Sequence, residues 1–97
     1  MNDDFQNKQR LKLKDLQRVL EHPDWKELLI RISHNGSVES ERFADEILTY
    51  LTHSGYKNVI KEVASLDLLF FKLGNLKIIE VLSSGEKWIH LIVIPQT

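Results

Sequence analysis

The sequence predicts an α+β domain: three N-terminal helices followed by a four-stranded, mostly antiparallel sheet. Three observations carry this. Apolar residues keep helical spacing through the first half of the chain, the period becomes strand-like after Gly55, and turn residues separate the later apolar runs. Helices grouped ahead of strands, rather than alternating with them, leave the helices to cover one face of an antiparallel-rich sheet. With 97 residues, there is enough chain for one core and one domain, spanning 1–97.

The elements follow in order. Residues 1–4 are expected to be disordered. From Phe5 to Glu21, the residues Leu13, Leu16, Val19 and Leu20 hold helical spacing, and His22-Pro23 stops that helix because the residue before proline avoids the α region. Asp24 caps a second, short helix whose stripe is Trp25, Leu28, Leu29 and Ile32, and Asn35-Gly36 then turns the chain. Ser37 caps a third helix, Glu39 and Glu41 lie near its positive end, Ala44, Ile47, Leu48 and Leu51 face the core, and Gly55 terminates it. Tyr56 to Ala64 reads as a strand. Leu66–Leu73 and Leu76–Leu82 read as a hairpin joined by Gly74-Asn75, and Ser84-Gly85-Glu86-Lys87 turns into a last strand, Trp88 to Ile94, which Pro95 ends.

Composition narrows the function. Apolar content of 42% and charged content of 28% are ordinary for a globular domain, and a net charge of -1 argues against a dedicated nucleic-acid binder. With no cysteine, thiol catalysis, disulfides and thiolate metal sites are excluded. Met1-Asn2-Asp3-Asp4 is unlike a secretory leader, so the expected location is cytoplasmic, and the longest apolar stretch, Trp88–Ile94, is far short of a membrane span. That stretch is apolar on both faces. It is therefore either central or buried against another subunit, and three small helices leave one sheet face to cover, which predicts a homodimer or hetero-complex with Trp88, Leu91 and Val93 at the contact.

The hairpin carries the first candidate chemistry. If Leu73 pairs with Leu76, Asp67 lies opposite Leu82 and shares a face with Glu80, so two carboxylates interrupt an apolar surface. Like charges side by side call for water, a cation or a basic side chain. Glu80 paired with a nearby lysine, and Asp67 at a solvent edge, is the simplest such arrangement.

Tyr50-Leu51-Thr52-His53-Ser54-Gly55-Tyr56, with Leu66-Asp67-Leu68 and Ile79-Glu80-Val81, resembles the core of the PD-(D/E)XK nuclease superfamily, over about residues 41–83. The resemblance implies a helix ending in Gly-Tyr, then a meander in which Asp67 and Glu80 bind Mg²⁺ or Mn²⁺, assisted by Glu41 or Asp45. Such an ion would activate water for phosphodiester attack. The chain departs from that pattern at Leu82, where the family has a lysine, and in the short turn that stands where a helix precedes the fourth strand.

Two charged stripes complete the candidates. Lys8, Arg10, Lys12, Lys14 and Arg18 form a basic face on the first helix, suited to a phosphate backbone or an acidic partner. Glu39, Glu41, Asp45 and Glu46 form an acidic counterpart on the third, suited to a basic partner. His22, His34, His53 and His90 lack metal-ligand spacing; His53 suits a helix C-terminus and His90 a satisfied core position. The resulting expectation is a small, non-catalytic interaction or regulatory protein without a cofactor, in the form of a decayed nuclease-like scaffold. A metal-dependent nuclease using Asp67 and Glu80, and nucleic-acid binding through the first helix, are the alternatives.

Overall fold

The computed structural model describes residues 13–65 and 76–94. Helix α1 (Leu13–Leu20) leads through a 3₁₀ turn (Pro23–Glu27) into strand β1 (Leu29–His34). Helix α2 (Val38–His53), strand β2 (Asn58–Val63), strand β3 (Leu76–Ser83) and strand β4 (Glu86–Val93) follow. The described strands run in the order β2-β1-β4-β3, with β1 parallel to both of its neighbours and β3 antiparallel to β4.

The α+β class holds, but two of its expected details are corrected. The described residues contain two α-helices rather than three, and the sheet is mixed, since two of its three pairings are parallel. Both corrections have one source. The stripe Trp25, Leu28, Leu29, Ile32 belongs to a single 3₁₀ turn and then a strand: Leu28 is extended at φ -87°, ψ 157°. From there the chain alternates, with Ile30 and Ile32 fully buried. A four-point apolar stripe fits a turn plus a strand as well as it fits a helix. Branching at Cβ and pairing along both edges decide for the strand.

Strands β1 and β2 lie side by side and parallel, which requires a crossover, and α2 supplies it. Its 16 residues extend about 24 Å, enough to return along a six-residue strand of about 20 Å. Both ends of α2 match the sequence reading. The Ser37 hydroxyl accepts the Ser40 N–H at 3.1 Å, and Gly55 takes φ +93° while the Tyr56 N–H returns to the Leu51 carbonyl at 3.0 Å.

The main cluster of buried side chains lies on the helix side of the sheet, while Ile92 of β4, on the other face beside Ser33, is buried too. Ile30 and Ile32 of β1, Ile89, Leu91 and Val93 of β4 and Leu76 of β3 meet Phe43, Ala44, Ile47 and Leu51 of α2, together with Leu16 and Val19 of α1 and Trp25. The Tyr56 hydroxyl donates to the Val19 carbonyl at 3.1 Å and fastens α1 to the start of β2. Each fully buried aliphatic side chain contributes about 1.5–3 kcal/mol.

Strand β4 is central among the described strands, flanked by β1 and β3, and this accounts for its apolar character on both faces. Leu91 and Val93, expected at a subunit contact, are fully buried on the helix side. Alternation places Trp88 on the other face. The β3–β4 connection is tighter than the sequence indicated. Ser84 and Gly85 alone form it, at φ +54° and +81°, and Glu86 and Lys87 already pair with Ser83 and Leu82.

Candidate interaction site

Alternation along β1 sends Ile30, Ile32 and His34 toward the helices and Leu29, Arg31 and Ser33 to the opposite face. The register then assembles a polar group from three strands. Ser33 pairs with Glu62 of β2, and Arg31 pairs with His90 of β4. The Arg31 guanidinium grips the Glu62 carboxylate as a fork, Nη2 reaching Oε1 at 2.7 Å and Oε2 at 2.9 Å while Nε reaches Oε1 at 3.3 Å. The Ser33 hydroxyl donates to Glu62 Oε2 at 3.3 Å and lies 2.8 Å from His90 Nε2. Trp88 flanks the group, its ring centre 5.1 Å from the guanidinium carbon and 5.3 Å from the His90 ring.

Electrostatics follow from these contacts. The Arg31 hydrogen bonds hold Glu62 below the usual carboxylate range, so it is ionised at neutral pH. Burial lowers His90 below its ordinary value, opposed by the Glu62 charge and reinforced by Arg31, so its ring is neutral there. The group is thus internally balanced, one cation against one anion.

A serine beside a histidine invites comparison with a hydrolase, but the arrangement differs in two ways. Ser33 has no exposed surface, so its hydroxyl cannot reach a substrate. Glu62 also bonds to the serine rather than to His90 Nδ1, where it would orient a general base. What remains is a surface. Around the polar group stand Leu29 and Ile60, 38% and 43% exposed, and the half-buried Ile79, Val81 and Trp88.

The expected site residues are distributed elsewhere. Asp67, the strand expected around it and the expected Gly74-Asn75 turn lie outside the described residues, as do Lys8, Arg10 and Lys12. Glu80 sits on the helix side of β3, 2.6 Å from Lys87 Nζ, the lysine neighbour that the simplest reading gave it. In the order of described strands β2 and β3 are at opposite ends, and the middle strand of the expected meander lies outside the described residues. Lys14 belongs to α1, and Arg18 is exposed at the end of that helix, lining a hollow with Glu21, His22, Trp25, Ile78 and Glu80. The acidic residues are partly engaged: Glu41 accepts from Lys61 Nζ at 3.2 Å, and Asp45 holds the same ammonium. Their hydrogen bonds, Asp45 foremost, raise the Lys61 pKa. Glu46 lines a hollow on α2 with Arg42, Tyr50 and His53, and burial raises its carboxyl. Glu39 is on the exposed side of the first turn of α2.

Arg31, Ser33 and Glu62 carried no signal in the sequence. Two of them lay inside the expected second helix, and the group exists only through parallel register between strands about 30 and 60 residues apart. No described helix is long and apolar enough to cross a membrane. Compared with protein-family models, with curated proteins and with solved structures, the chain gives no significant match.

Proposed function

We propose that this is a non-catalytic interaction protein that docks through the sheet face opposite its helices, and that a second copy of the chain is its first partner. The observation that carries the reading is the makeup of that face: Leu29, Ile60, Ile79, Val81 and Trp88 surround a balanced Arg31–Glu62 pair. Tryptophan and arginine side by side in an apolar surround are the residues that dominate protein contacts. Internal charge balance also lets the face meet its own copy without like-charge repulsion.

Size sets the strength. Four strands about 4.8 Å apart and six residues long present roughly 20 by 20 Å, about 400 Å² per copy against the ~800 Å² of a standard stable interface. The dimer is therefore weak and concentration-dependent. Sedimentation velocity across a dilution series tests this: the mean mass should climb toward twice the monomer value, and Trp88→Ala should return it to one chain with the circular dichroism unchanged. Strictly monomeric behaviour up to the solubility limit would overturn the reading.

A further inference from the structure

The hydrogen-bond directions within the polar group determine what its outer surface offers. Ser33 has one hydroxyl proton. Ionised Glu62 can only accept, so that proton points to Glu62 Oε2, and the serine oxygen accepts from His90 Nε2–H at 2.8 Å. The reverse assignment would set a serine lone pair against a carboxylate oxygen at 3.3 Å in a residue with no exposed surface. A neutral ring with its proton on Nε2 carries a bare lone pair on Nδ1.

Among the described residues the one fully buried side-chain polar atom without a partner is Trp25 Nε1, so His90 Nδ1, which takes no hydrogen bond within the polar group, is not sealed from water. The same holds for Arg31 Nη1, since Glu62 occupies Nε and Nη2. Arg31 and His90 are register partners on adjacent strands. The face therefore presents an acceptor and a donor on neighbouring positions, with the Trp88 ring alongside both.

We propose that Arg31 and His90, flanked by Trp88, form a recognition site for a primary carboxamide, the Asn or Gln side chain of a docked polypeptide. The inference rests on the docking reading above. A trans peptide group points its N–H and C=O in opposite directions, whereas a primary carboxamide presents both along one edge. Its C=O accepts from Arg31 Nη1, its N–H donates to His90 Nδ1, and its flat face lies on the indole. A carboxylate fits poorly because it would set an oxygen against the Nδ1 lone pair. A nucleobase edge offers a similar pattern, but its phosphates would meet a face whose guanidinium is already neutralised by Glu62, on a chain of net charge -1.

The test has two stages. Long-range proton–nitrogen correlation on the isolated protein at neutral pH should show His90 protonated on Nε2 and bare on Nδ1; the opposite tautomer overturns the proposal. Titration with the blocked tripeptide Ac-Ala-Gln-Ala-NH₂ should then give saturable shifts at Arg31, His90 and Trp88, and its glutamate counterpart should not. Ser33→Ala, checked for folding by circular dichroism, should weaken the glutamine peptide about tenfold, the worth of one well-placed hydrogen bond. Equal response to both peptides overturns the proposal, and so does tighter binding of adenosine than of the glutamine peptide. No peptide binding beside an intact Trp88-dependent dimer removes the carboxamide site alone and leaves docking in place.

Discussion

The two faces of this sheet are made from the same four strands, yet they solve different problems. Toward the helices, Ile30, Ile32, Ile89, Leu91 and Val93 bury completely and hold the fold. On the other side the same backbone carries Arg31, Ser33, Glu62 and His90 in mutual hydrogen bonds, ringed by apolar groups still in contact with water. Alternation along a strand makes this separation available, and the register across strands makes it specific. One face supplies stability; the other is the face proposed to make contact.

Substitutions should show that asymmetry most plainly in the core. Ile32→Ala opens a cavity beneath α2, and a loss of about 2–5 kcal/mol in urea unfolding is expected. A loss below about 1 kcal/mol would mean that the helix side is loosely packed. On the open face Glu62→Ala strips the fork from Arg31. Both side chains keep roughly a third of their surface in water, so the expected loss is about 1 kcal/mol rather than that of a buried pair. Dimer mass should fall as well, because an unbalanced guanidinium then faces its own copy.

Acid separates the faces in another way. His90 has a folded pKa below its ordinary value of about 6.5, so the unfolded chain takes up a proton before the folded one. The stability that this confers is fully present above about pH 6.5 and is lost as pH falls toward the folded value. The groups facing His90 are Arg31 and Ser33 of β1, Glu62 of β2, Trp88 of its own strand and Ile79 across on β3, with Lys77 next along that strand. Urea midpoints compared between pH 7 and 5.5 should drop more for wild type than for His90→Asn; identical drops would assign the acid sensitivity to other groups. The smallest effect is expected at Ile60→Ala, within about 0.5 kcal/mol in stability but with measurably weaker self-association.

The fold was legible where signals are local. The Ser37 cap and the Gly55 terminus of α2 were readable because each depends on neighbours a few residues away. Strand β1 was hidden because Trp25, Leu28, Leu29 and Ile32 satisfy helical spacing by coincidence. Once β1 was missed, Arg31 and Ser33 could not be matched with Glu62 and His90. Parallel pairing leaves no turn signature between partners, so a site built on it emerges only from the folded register. Lys61 depends on the folded register in the same way: it points to the helix side, where Glu41 and Asp45 neutralise it.

The central claim concerns which face makes contact, and methyl and indole shifts followed by NMR through a dilution series address it residue by residue. The account predicts concentration-dependent shifts at Leu29, Ile60, Ile79 and Trp88, with Ile32, Ile47 and Leu91 unmoved. Shifts confined to α2 or to the helix side, with the open face silent, would contradict it.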